Sequence, residues 1–149
     1  MGSEVLLAGV SCYTADYDNF LPSTGIFMAA IELNTDNFQE TIENNDIVLI
    51  DFWASWCGPC QSFGPVFEAA ADKNPEMAFA KVNTEDQTEL AANFQVRSIP
   101  MLAVFKEQVM VYSQAGALPA SSLDQLIEQV KGLDMDKVRA DIAEQKKQS

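Results

Sequence analysis

The segment Ile47-Val48-Leu49-Ile50-Asp51-Phe52-Trp53 does most to limit what this chain can fold into. It is apolar at every position except Asp51, shows no alternation that would leave one face polar, and follows the turn formers Asn44-Asn45-Asp46. A strand of that kind is covered on both faces, which points to a sheet between two layers of helices. The flanking chain supplies such layers. From about Met28 to Gly132, β-like runs alternate with helical patterns, as in an α/β sheet.

Ile31–Leu33 reads as a first short strand, and Thr35 as the cap of a helix reaching Asn44 with Phe38 and Ile42 on its inner side. After the central strand a helix opens near Cys57 and runs to about Asp72. Pro65 lies inside it, and its missing amide predicts a kink. Met77–Val82 reads as a third strand and Glu85–Phe94 as a helix. Met101–Lys106 and Val109–Ser113, separated by Glu107-Gln108, form a hairpin. Ser121 or Ser122 caps a further helix, whose Leu123, Leu126, Ile127 and Val130 recur at the spacing of a stripe facing a sheet.

At 149 residues the chain holds one domain, 28–132, with an appendage at each end. Residues 1–27 carry Glu4, Asp16 and Asp18 and no basic residue, and the apolar run Val5–Val10 is short for a secretory signal, so they read as a poorly ordered extension. In 133–149 the acidic and basic residues balance, and Met135, Val138 and Ile142 mark an extra amphipathic helix. The net charge of −13 repels phosphate backbones and anionic lipids, so neither nucleic acid nor membrane is an expected partner.

The sequence has no histidine, which excludes Ser-His and Cys-His catalysis and leaves the chemistry to cysteine and carboxylate. Its three cysteines, Cys12, Cys57 and Cys60, are too few and too unevenly spaced for a disulfide-stapled fold and fit a reducing, cytoplasmic setting. In Cys57-Gly58-Pro59-Cys60, two thiols lie one turn apart where a buried strand gives way to a helix. The helix N-terminus favours the Cys57 thiolate, which attacks a disulfide, and Cys60, one turn inside, resolves the mixed disulfide. Half of a zinc site is the competing reading, but zinc wants four ligands and only Cys12 remains to contribute, so no metal is expected. Cys12 itself reads as a spectator thiol, with a regulatory disulfide as the alternative.

The run Asp51-Phe52-Trp53-Ala54-Ser55-Trp56-Cys57-Gly58-Pro59-Cys60 is followed in order by Pro65, Lys81-Val82-Asn83, Arg97-Ser98-Ile99-Pro100 and Gly116-Ala117-Leu118. Over about Ile31 to Leu133 the chain thereby resembles the thioredoxin family. The resemblance implies a thioredoxin fold: α/β, with a central mixed five-stranded sheet flanked by helices on both faces. It also implies that Asp51 shuttles protons near Cys60 while Lys81 modulates its charge. By pattern alone, a solvent-facing aspartate and a solvated lysine are the alternatives. The family further implies a cis bond before Pro100 and an apolar docking patch made by Trp56, Gly58, Pro59, Ile99, Pro100, Gly116 and Ala117 around Cys57. Trp53 goes with the phenylalanines to the core.

The chain departs from the family pattern at Gln61, where lysine is usual, at Met101, where threonine is common, and at Gln108, where glycine is usual in the hairpin turn. A side chain at Gln108 predicts a different turn type. Gly58-Pro59 between the cysteines, with no histidine, points to a reductase rather than an oxidase. The resemblance therefore implies a general protein-disulfide reductase with no bound cofactor, recharged by a thioredoxin reductase using NADPH. It would act as a cytoplasmic monomer on disulfide-containing client proteins. A binding subunit that uses the same patch, and an exported reductase, are the alternatives.

Overall fold

The computed structural model describes residues 30–148, so the extension 1–27, Cys12 and Met28 lie outside the described residues. The elements in chain order are β1 (Ile31–Glu32), α1 (Phe38–Asn44), β2 (Ile47–Trp53), α2 (Gly58–Lys73), β3 (Ala78–Asn83), α3 (Thr88–Asn93), β4 (Met101–Lys106), β5 (Val109–Ala115), α4 (Ala120–Lys131) and α5 (Met135–Gln148). The sheet order is β1-β3-β2-β4-β5. β1, β3 and β2 run parallel because helices connect them, whereas the two-residue link between β4 and β5 forces an antiparallel pair.

β2 lies in the middle, and its alternate residues serve opposite helical layers. Val48, Ile50 and Phe52 join Leu33, Ile42, Leu90 and Ala103 in one core, where Phe52 meets Phe94 with ring centroids 5.0 Å apart. Leu49 and Asp51 point to the other layer, where Phe63 and Phe67 of α2 and Leu123 and Ile127 of α4 are fully buried. Phe67 packs on Phe79, the register partner of Leu49, at 5.2 Å between centroids. Each such aliphatic or aromatic side chain contributes about 1.5–3 kcal/mol of burial, which commits the strand to its register. Asp51 is the exception, set into the second layer with no exposed surface.

Several boundaries differ from expectation because local caps decide them. The Asn34 carboxamide oxygen accepts the amides of Asp36 and Asn37 at 2.8 and 3.0 Å, so the first helix starts at Phe38 and Thr35 caps nothing. Thr84–Asp86 form a turn anchored on Asn83, which delays α3 to Thr88. α4 begins after Pro119, ahead of both serines. α2 continues through Pro65 to Lys73. At the hairpin, Glu107 and Gln108 hold φ of 50° and 70°, the doubly positive pattern of a type I′ turn. The chain thus accepts left-handed backbone on two side-chain-bearing residues instead of choosing another turn.

α5 is fastened to the end of the sheet remote from the cysteines. Lys106, buried at the end of β4, donates to the carbonyls of Val130, Lys131 and Leu133 at 2.8, 2.9 and 3.2 Å. Met135 is buried, and Arg139 pairs with Glu107 at 2.6 Å.

Candidate active site

The site begins where β2 ends. After Trp53 a short loop brings Cys57 to the N-cap of α2 with extended backbone, and its sulfur accepts the Cys60 amide at 3.2 Å. Pro59 occupies the first turn of α2, where its missing amide costs nothing. Cys57 and Cys60 form a disulfide with Cα atoms 5.2 Å apart. An amide aimed at the Cys57 sulfur, on the positive end of a 16-residue helix, is what stabilises a thiolate once the pair is reduced.

Both cysteines are nearly covered, while Trp56 between them and solvent is 70% exposed. The Cys57 sulfur lies 3.7 Å from the Ile99 carbonyl oxygen, and the Ile99–Pro100 bond is cis. The Pro100 carbonyl in turn accepts the Gly116 amide at 2.7 Å. Gly116 sits at φ 115°, a conformation that side chains rarely adopt, which accounts for glycine there. The structure thus sets Ile99 against Cys57 and ties Gly116 to the neighbouring Pro100, with Ala117 next in the chain and Gly58 exposed beside Cys57. Trp56 and Ile99 also wall a groove of about 380 Å³ with Thr88 and Arg97.

Near the end of β2 that leads to the cysteines, Asp51 is fully buried, and both of its carboxyl oxygens lack a hydrogen-bond partner among the described residues. Burial pushes its pKa up from the usual 3.8 to about 7, against the opposing pull of the Lys81 cation and with a smaller upward push from Glu68. Asp51 and Lys81 are register partners on adjacent parallel strands, so they share a face of the sheet. A cavity of about 420 Å³ opens from this face to solvent, lined by Cys60, Trp53, Gly64, Glu68 and Lys81.

Trp53, expected in the core, is only partly buried: it packs on Ala54, Cys57 and Cys60 but also walls this cavity, its indole nitrogen has no hydrogen-bond partner among the described residues, and Lys81 lies 5.5 Å from its ring centre. Sequence reading also missed four polar residues around the loop. Ser55 donates to Glu85 at 3.0 Å, and Gln61 donates to the Ser55 carbonyl at 2.9 Å, pinning the approach to Trp56. Glu68 pairs with Lys81 at 3.2 Å. The i+4 spacing of Cys60, Gly64 and Glu68 places them on one helix face, a signal that could have found the last of these.

Comparison with known proteins agrees with this geometry. The family profile described as Thioredoxin matches residues 29–129. Over 121 residues the chain is 52% identical to a Streptomyces coelicolor protein provisionally named thioredoxin 2, spanning 81% of this chain and 90% of that protein. It is 46% identical over 100 residues to thioredoxin C-3 of Corynebacterium nephridii, spanning 66% and 69%. Among solved structures, a mutant thioredoxin from Halobacterium salinarum superposes with a TM-score of 0.66 at 32% identity, covering 70% of this chain and 93% of that one.

Proposed function

The chain belongs to the thioredoxin family, and from that premise we propose how its residues divide the work of reducing protein disulfides by dithiol–disulfide exchange. The Cys57 thiolate attacks one sulfur of a client disulfide; that S–S bond breaks, a mixed disulfide forms, and the first client thiolate leaves. Cys60 then loses its proton to the Asp51 carboxylate and attacks the Cys57 sulfur, which releases the second client thiolate and leaves the Cys57–Cys60 bridge. Two electrons pass to the client, and the oxidised pair is the product.

One observation carries the reading: a disulfide pair at the N-terminus of a helix, with a covered carboxyl of raised pKa on the sheet face behind it. A group with a pKa near 7 exchanges a proton at neutral pH with little driving force in either direction. Lys81 adjusts that affinity. Trp56, Gly58, Pro59, Ile99, Pro100, Gly116 and Ala117 form the docking surface, on which extended client backbone meets the Ile99–Pro100 edge. Residues 28–132 make up the catalytic domain, with 1–27 and 133–149 as appendages.

The bridge needs an outside donor, and a thioredoxin reductase drawing on NADPH is the partner proposed. A monomer in the cytoplasm is the setting in which such a donor keeps the pair reduced. Among the described residues no helix is long and apolar enough to cross a membrane. The test is insulin reduction with dithiothreitol, or with thioredoxin reductase and NADPH, as donor. Wild-type protein should precipitate the insulin B chain, and Cys57→Ser should reduce the rate to background; full activity in Cys57→Ser would overturn the assignment.

A further inference from the structure

Lys81 does not pair with the carboxyl beside it. Adjacent parallel strands lie about 4.8 Å apart, so a lysine in register with an aspartate on the same face has ample stem to reach it. Yet Asp51 has no hydrogen-bond partner among the described residues, while the Lys81 ammonium lies 3.2 Å from the Glu68 carboxylate and 5.5 Å from the centre of the Trp53 ring. Its path crosses the bare face of Gly64, where an added Cβ would sit 3.8 Å from the ammonium. Glu68 is anchored one helical turn beyond Gly64 and is about half exposed, so it holds the cation at the mouth of the cavity.

Resting on the exchange mechanism above, we propose that Glu68 is a positioning residue for the Cys60 step, holding the Lys81 ammonium over Trp53 and away from the Asp51 carboxyl. Without that hold the nearest favourable site for the cation is Asp51 itself, a buried carboxyl in register with it on the adjacent strand. A direct Asp51–Lys81 pair would favour the ionised carboxylate and take away the proton that Asp51 keeps near neutral pH. The other groups around Asp51 do not substitute for Glu68. Leu102, its register partner on β4, is uncharged, as are Leu123 and Ile127 buried on α4 in the layer that Asp51 faces. Cys60 on α2 is held in the disulfide. Glu32 on β1 is in register with Lys81, but it lies on the far side of it from Asp51 and is exposed.

The same geometry assigns the direction of the effect. Removing the Glu68 charge withdraws a nearby anion and frees a cation, and both changes lower the proton affinity of Asp51. The test follows the Asp51 carboxyl carbon by 13C NMR through a pH titration of the full-length oxidised protein. Glu68→Gln should move the midpoint down by about one pH unit, within the range an opposing charge at contact distance produces. Glu68→Ala, which leaves no acceptor for the ammonium, should move it at least as far. The acidic limb of the insulin-reduction profile should follow by the same interval.

In a Lys81→Met background, adding Glu68→Gln should shift the midpoint by less than about a third as much, because the cation through which Glu68 acts is gone. An unchanged or raised midpoint in both Glu68 variants overturns the proposal. So does an undiminished drop in the Lys81→Met background, which would make Glu68 a distant charge and not a holder of Lys81. Wild-type protein that titrates at Asp51 but fails to reduce insulin would instead sink the exchange mechanism, so the two failures are separable.

Discussion

Among the described residues two charged side chains, Asp51 and Lys106, are buried at opposite ends of adjacent strands, and they are treated in opposite ways. Lys106 spends all three ammonium protons on the carbonyls that close α4 and lead into α5. Asp51 has neither carboxyl oxygen bonded. A helix C-terminus presents unpaired carbonyls and the negative end of its dipole, so a lysine there satisfies groups that would otherwise be orphaned. Burying an unpartnered carboxyl has no such return for stability, and the chain keeps it on the strand that leads into the cysteine loop. Full pairing marks the structural charge, and its absence marks the working one.

Stability against pH breaks or sustains this contrast most directly. A carboxyl displaced from 3.8 to about 7 holds its proton in the folded state while the unfolded chain has already released it. The folded state therefore binds more protons between these values, and stability falls as pH rises through that window, by on the order of 4 kcal/mol. Below the lower value the full stability is present; above the upper one it has been lost. Urea unfolding of the oxidised protein at a series of pH values should show this decline in wild type. Asp51→Asn should flatten it, and an equally steep decline in that variant would place its origin elsewhere.

The structural charge should respond differently. Lys106→Met retains most of the apolar stem and removes a donor from three carbonyls, of which that of Val130 keeps a backbone amide, and this should cost about 1–3 kcal/mol at every pH in the same measurement. The pH slope assigned to Asp51 should persist unchanged, and insulin reduction should stay near wild type because Lys106 lies at the other end of β4 from the cysteines. A loss of activity without a loss of stability would contradict its structural role.

How legible these roles were in the sequence depends on what determined them. The order of strands and helices could be read because the uniform apolar run at Ile47–Trp53 and the stripe from Leu123 to Val130 are decided by burial alone. Cys57 and Cys60 could be read because their chemistry depends on spacing within one turn. Helix starts were misplaced at Thr35 and at Ser121 or Ser122, where a carboxamide one residue earlier and a proline two residues earlier settled the matter. The cavity-facing side of Trp53 was not legible because its neighbours there are set by a three-way meeting of β2, β3 and α2, which no local pattern encodes. The same holds for Glu68, whose partner Lys81 is thirteen residues away. No local pattern sets Lys106 apart from other lysines at strand ends; its three carbonyl partners come from the end of α4 and the link to α5, more than twenty residues later.

The attachment of α5 gives the smallest effect and the finest version of the comparison. α5 and the link into it are held by the buried Met135, by the partly buried Lys106–Leu133 contact and by the Arg139–Glu107 pair, in which both side chains are well exposed. Water screens such an exposed pair, and ordering two long side chains opposes it, so Arg139→Ala should lower stability by about 0.2–1 kcal/mol. Raising salt should shrink even that difference in urea unfolding. The Lys106→Met penalty should survive the same salt, because its ammonium and carbonyls are shielded from mobile ions. If Arg139→Ala instead cost as much as Lys106→Met, α5 would be held at its surface by charge, and the buried lysine would not be its anchor.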